Sequence, residues 1–275
     1  MMRVGFVGLG DQGGPMARRI IEAGYPTTLW ARRPATLEPF AGPQVRLAGT
    51  RAELGATSDV LCVCVVDGAG VDDVLRGTEG ALSAMAPGSV AVVHSTVHPA
   101  TCVRLQQDFP SIHVVDAPVS GGGARAANGE LLVMVGGAPK VVDRCRPLFE
   151  TYANLVVHVG EIGAGLEAKL LNNILFAAHL AVAAEVHAIA SDLGLDHQAL
   201  ATALAHGSGR SYAAELVARM GFRLNALAGT AGPLLAKDVG ILADVAAVTR
   251  SPLLDAAEAA LVRMGVPRIH EENAG

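Results

Sequence analysis

The sequence predicts an α/β protein in which a doubly wound parallel sheet is followed by a long helix and an all-helical C-terminal domain. Three observations predict it. Short β-branched runs alternate with helix-like segments through the first 160 or so residues. Those runs are continuously apolar rather than alternating, the pattern of strands covered on both faces. Beyond that point the strand signal stops and only helical patterns remain.

Taken in order, the strands are "RVGFVG" (3–8), "TTLWA" (27–31), "VLCVCVV" (60–66), "VAVVHS" (90–95) and "IHVVDAP" (112–118), with helices expected over 14–23, 99–108 and 139–149. "LLVMVGG" and "LVVHVG" extend the strand pattern to about residue 160. "LEAKLLNNILFAAHLAVAAEVHAIASDLG" then reads as one helix about 40 Å long at 1.5 Å per residue, closed by Gly194. The remainder, 196–265, is helical with breaks at "GSG", "AGTAGP" and "RSP". The composition switch puts the domain boundary at Gly160–Gly165, giving domains 1–162 and 163–275.

With 275 residues, 51% hydrophobic and 17% charged, the chain can bury a sizeable core. A net charge of −5 without a lysine or arginine run gives no support for nucleic-acid or anionic-membrane binding. The apolar stretch around 174–184 is shorter than the roughly 20 residues that span a bilayer. The N-terminus shows no signal-peptide pattern. Cys62, Cys64, Cys102 and Cys145 have no metal-ligand spacing, and the histidines make no convincing metal set. A cytoplasmic protein without a metal is the expectation.

"VGFVGLGDQGGPMARRI" supplies Gly8, Gly10 and Gly13 as G-x-G-x-x-G between an apolar strand and a helix that opens a β/α series. In that context the glycines read as a dinucleotide site, including Gln12 in the loop, where backbone N–H groups meet a pyrophosphate. The second strand ends "TLWARRP", with Ala31 where an NAD site carries an acid, and then Arg32 and Arg33; no carboxylate lies between Glu22 and Glu38. Two guanidinium groups suit a 2′-phosphate, so NADP is expected rather than NAD.

Together, "GFVGLGDQGGPMA", "STVHP", "DAPVSGGGARAANGELLVMVGG", "GAGLEAKLLNN" and "KDVGILA" resemble, in order and over nearly the whole chain, the β-hydroxyacid dehydrogenases. That group includes 3-hydroxyisobutyrate dehydrogenase and tartronate and glyoxylate/succinic semialdehyde reductases. The resemblance implies a Rossmann-type cofactor domain and a cleft against the helical domain as active site. The long helix, apolar on too many sides for a thin helical domain to cover alone, predicts a homodimer or homotetramer. It implies Lys169 as catalytic acid/base and Asn173, one turn on, as a substrate contact. Residues four apart share a helix face, and a lysine near a helix start has its ammonium disfavoured by the dipole. Ser120, Gly121 and Gly122 would receive the substrate's carboxylate and hydroxyl, successive glycine N–H groups forming an anion nest. Thr96 would lie beside the nicotinamide, Lys237 would reach the cofactor, and Asp238 would support that closure. The implied substrate is a small carboxylate-bearing aldehyde or hydroxy acid.

Three positions depart from the family pattern: His94 in place of aspartate before Ser95-Thr96, Gln12 in place of methionine, and the closing "MGVPRIHEENAG". Two rivals share the architecture, an imine reductase and a non-catalytic NADP-binding scaffold. Both tend to lack the lysine found here at 169.

Overall fold

The computed structural model describes residues 2–77, 79–247 and 251–266. They form two compact units, Met1–Lys169 and Leu170–Gly275. The first contains β1 (Val4–Val7), α1 (Gly13–Glu22), β2 (Thr27–Trp30), β3 (Val45–Leu47), α2 (Arg51–Ala56), β4 (Val60–Val63), α3 (Gly68–Leu75), α4 (Ala81–Ala84), β5 (Val90–Val93) and α5 (Pro99–Asp108). It continues with β6 (His113–Asp116), β7 (Val119–Ser120), α6 (Gly122–Ala127), β8 (Leu131–Gly136), α7 (Pro139–Phe149) and β9 (Ala153–Gly160). The helices expected at 14–23, 99–108 and 139–149 coincide with α1, α5 and α7 to within a residue at each end.

The sheet runs β3-β2-β1-β4-β5-β6-β8-β7, with β9 on β8. From β3 to β6 every pairing is parallel. β1, β4 and β5 are buried at every position, as strands covered on both faces must be. One apolar layer gathers Phe6, Met16, Ile20, Leu29, Phe149 and Tyr152 beneath α1 and α7. The opposite layer gathers Val7, Leu54, Leu61, Val71, Leu75 and Leu105 beneath α2, α3 and α5. Strand alternation divides them, since Phe6 and Val7 point to opposite faces.

The sheet is the expected doubly wound, mostly parallel one, with antiparallel pairings made by β8. β8 runs antiparallel to both β6 and β7, while β9 runs parallel to β8. Ala117–Pro118 leads directly into β7, and α6 turns the chain back before β8.

The division between units falls within α8 (Ala164–Asp192), 29 residues long. By length and composition alone this helix could cross a membrane, and half of its most apolar window is buried inside the protein. It extends the apolar run 174–184 at both ends, so the expectation drawn from that run's shortness does not describe the helix. In the second unit it packs Leu170, Ile174, Ala177 and Leu180 against α10 (Tyr212–Arg219), α11 (Ala231–Val245) and α12 (Pro252–Met264) as a core of their own, while α9 (His197–His206) buries no residue. α8 stops before Gly194, whose φ of 69° is left-handed. "GSG" ends α9, whereas Gly232 and Pro233 of "AGTAGP" lie inside the first turn of α11. A proline there removes an N–H that has no intrahelical partner anyway. Thr249 and Arg250, and the closing residues from Pro267, lie outside the described residues.

Candidate active site

Register makes the site's floor. Val7, Trp30, Val63, Val93 and Asp116 end β1, β2, β4, β5 and β6 at one level of the sheet. The segments that follow leave a single carboxyl edge, where ligands of open α/β sheets bind. Gly8, Arg32 and Thr96 belong to them, and Ser120 ends β7, the strand that follows β6.

The three fingerprint glycines have separate reasons. A Cβ on Gly8 (φ 94°) would lie 2.0 Å from the Cys64 carbonyl oxygen, and one on Gly13 would lie 1.9 Å from the Gly8 oxygen. Both are required by packing of the turn and of α1 on β4. A Cβ on Gly10 would meet nothing within 4 Å, so its exposed backbone faces open space. Beside it Gln12 occupies the N-cap position of α1 without capping it. Its Nε2 is buried and has no hydrogen-bond partner. Open backbone at a helix N-terminus plus an orphaned donor fits a ligand that brings acceptor oxygens, as a pyrophosphate does. Arg32 and Arg33 follow β2, are exposed, and form no ion pair among the described residues.

The second glycine segment backs onto the first. Ser120 ends β7, half-buried, and Gly121 and Gly122 hold φ of 139° and 76°. A Cβ on Gly123 would lie 2.3 Å from the Asp11 carbonyl oxygen, so only glycine lets this turn approach the dinucleotide loop. Gly122 itself faces open space. Of "STVHP", Ser95 is buried and accepts from the Val65 N–H at 2.8 Å, while Thr96 remains partly exposed.

Lys169 lies in the second turn of α8, only 9% exposed. What fixes that helix is Asp116, a residue the motif reading passed over. Its carboxylate, fully buried at the end of β6, accepts from the N–H of Gly163 (2.6 Å) and of Leu166 (2.8 Å). Burial raises its pKa to about 6, against the opposing pull of the N–H donors. A Cβ on Gly165 would sit 2.8 Å from one carboxylate oxygen and one on Gly136 would sit 2.6 Å from the other. Gly165 and Gly136 thus make room for an anion, whereas Gly163 is held at a left-handed φ of 98°. The sign of an aspartate ending a buried apolar strand was the available signal. The same carboxylate sits on the positive end of the α8 dipole and offsets the dipole's expected effect on Lys169.

Asn173 and Lys237 belong to the second unit, where buried Asp238 joins them. Asn173 Nδ2 donates to Asp238 Oδ2 at 2.6 Å, and Lys237 Nζ meets Oδ1 at 2.7 Å. Asn173 Oδ1 accepts from Asn172 at 3.0 Å.

Residues 3–160 match the NAD binding domain of 6-phosphogluconate dehydrogenase, and 163–268 match the NAD-binding domain of NADP-dependent 3-hydroxyisobutyrate dehydrogenase. The mitochondrial 3-hydroxyisobutyrate dehydrogenase of Mus musculus is 31% identical over 260 residues, 91% of this chain and 78% of that protein. The L-threonate dehydrogenase of Cupriavidus necator is 32% identical over 91% of this chain and 85% of its own. The chain belongs to the β-hydroxyacid dehydrogenase family. Among solved structures, a Mycobacterium tuberculosis 3-hydroxyisobutyrate dehydrogenase with L-serine superposes with a TM-score of 0.83 at 28% identity, covering 94% of this chain and 92% of that one. This β-hydroxyacid dehydrogenase is accordingly an oxidoreductase of the 3-hydroxyisobutyrate dehydrogenase type with a nicotinamide dinucleotide cofactor. In this member of the family, His94 replaces the usual aspartate with a neutral ring packed among Phe6, Phe149 and Tyr152.

Proposed function

We propose that the protein interconverts a small β-hydroxy acid and its aldehyde or keto acid using NADP(H), with Lys169 as the general acid/base. One observation carries the reading: a lysine in a family motif is buried on a helix turn that a buried carboxylate fixes in place. When bound, the nicotinamide supplies or accepts the hydride. Lys169 gives a proton to the developing alkoxide in reduction and removes it in oxidation. Ser120 and the N–H groups of Gly121 and Gly122 receive the acid, and Asn173 orients it from the next turn of α8. Asp238 holds that amide and the Lys237 ammonium, which we assign to the cofactor along with Gly8, Gly10, Gln12, Gly13, Arg32, Arg33 and Thr96. Residues 1–162 would bind the cofactor, and 163–275 would serve substrate and assembly. Small hydroxy acids figure in the names of the relatives above, which supports the substrate class.

The test is NADPH oxidation with a panel of short aldehyde acids, followed by single variants on the best of them. Lys169→Ala should lower kcat by about two to four orders of magnitude and leave NADPH binding nearly intact. Asn173→Ala should mainly raise KM, because an amide orients but does not transfer the proton. Near-normal turnover in Lys169→Ala would make that lysine structural and move an imine reductase or a non-catalytic scaffold ahead.

A further inference from the structure

The second unit holds a cavity of about 560 Å³ lined by none of the residues assigned above to substrate or cofactor. Among its lining residues are His187 and Ser191 of α8, His197 of α9, Phe222, Arg223, and Arg263 of α12. None of its lining residues is an aspartate or a glutamate. Glu185, on the same helix as His187, pairs with Arg263 from outside that lining. Arg223 is exposed and forms no ion pair among the described residues. Phe222 holds a left-handed backbone (φ 67°) that a bulky residue seldom adopts, and its ring lies 4.4 Å and 5.0 Å from the two imidazoles.

The two rings are wired in one direction. His187 Nδ1 and His197 Nδ1 are 3.1 Å apart, and His197 Nε2 is 3.0 Å from Ser191 Oγ, which also lies 3.2 Å from the His187 carbonyl oxygen. For neutral rings one assignment satisfies all three contacts. The serine hydroxyl donates to the carbonyl, His197 Nε2–H donates to the serine oxygen, and His187 Nδ1–H donates to His197 Nδ1. His187 Nε2 is then a lone pair, on a ring only 2% exposed and with no partner among the described residues. It can take up a proton without breaking any of those bonds.

We propose that this cavity is a binding site for a small carboxylate or phosphate anion, held by the protonated His187 Nε2–H and by Arg223, with Arg263 at its side. Burial, with His197 adjacent, holds the His187 pKa below its ordinary value, and an anion at Nε2 favours the protonated ring. Binding then draws in one proton. Glu185 limits the positive charge by engaging Arg263, which leaves Arg223 and His187 as the cations that decide affinity.

Calorimetric titration of the full chain at pH 6.5 with inorganic phosphate, and separately with malonate, tests this and distinguishes the two anion sources. Saturable binding of either probe is expected, weakened at least about fivefold by Arg223→Gln and by His187→Gln. Proton uptake, read from buffers of different ionisation enthalpy, should vanish in His187→Gln. Arg223 is exposed, so its variant remains informative if His187→Gln misfolds. Absence of saturable binding into the millimolar range, or binding that Arg223→Gln and His187→Gln both leave intact, would overturn the proposal. Either result leaves the assignment of Lys169 untouched, because neither readout involves turnover.

Discussion

His94 closes β5 with both ring nitrogens engaged, Nδ1 donating to the Ala117 carbonyl at 2.7 Å and Nε2 accepting from the Tyr152 hydroxyl at 3.3 Å. Burial lowers its pKa to about 4, only partly offset by the carbonyl. The folded protein therefore binds fewer protons here than the unfolded chain does between pH 6.5 and 4. Stability from this ring is complete above about 6.5 and is lost as pH falls toward 4, by about 3 kcal/mol in all. Urea unfolding at pH 7, 5.5 and 4 should show His94→Phe losing less stability over that range than the wild type, although it is weaker at pH 7 for want of the two hydrogen bonds. Parallel pH profiles would mean the imidazole is not buried neutral. At the end of β2, Arg32 and Arg33 lie open to a ligand without competing carboxylates. The wild type should prefer NADP over NAD by at least about tenfold, or 1.4 kcal/mol, and replacing both arginines with alanine should erase most of that while sparing NAD use. Equal affinity for both cofactors in the unmutated protein would remove the arginines from the specificity argument.

Among the elements, α8 depends on one carboxylate more than on its own sequence. Asp116→Asn keeps one acceptor for Gly163 or Leu166 but turns an NH2 toward the other N–H. A loss of about 1–3 kcal/mol is expected for the unsatisfied buried group. Because Lys169 follows Leu166 by three residues, kcat should fall more than KM rises, and Asp116→Glu should not restore it. The space at Gly165 and Gly136 is already filled to contact. A variant with wild-type kcat would show that α8 is held elsewhere. The glycine fingerprint, α1, α5, α7 and α8 were legible in the sequence because periodicity and glycine spacing report local geometry. The reversal of β8 was not, since "LLVMV" reads the same in either direction and pairing direction is set by the fold. Asp116 escaped for a related reason: its partners are 47 and 50 residues away. Asn173 was legible as a polar residue in an apolar helix, but its bond to Asp238 needed the fold.

At the scale of the molecule, α8 leaves Leu171, Leu175, Val182 and Ile189 about half exposed along the helix that also forms the helical unit's core. A surface of that kind on a helix is commonly covered by another chain. We expect a dimer or tetramer in solution. Small-angle scattering at micromolar concentration should give at least twice the 28.1 kDa of one chain, and Val182→Glu with Ile189→Glu should shift it toward the monomer. A monodisperse monomer in the unmutated protein would contradict the expectation.

The unequal surroundings of Gly8, Gly10 and Gly13 bear on how such a chain can diverge. Substitutions at the outer two collide with backbone oxygens at about 2 Å and would be purged as folding failures, whatever the chain's task. Position 10 collides with nothing in the protein itself, so a side chain there would survive synthesis and quality control while obstructing the dinucleotide. One nucleotide change could thus convert an ancestral enzyme into a well-folded bystander, available for recruitment to work that needs its shape and not its chemistry.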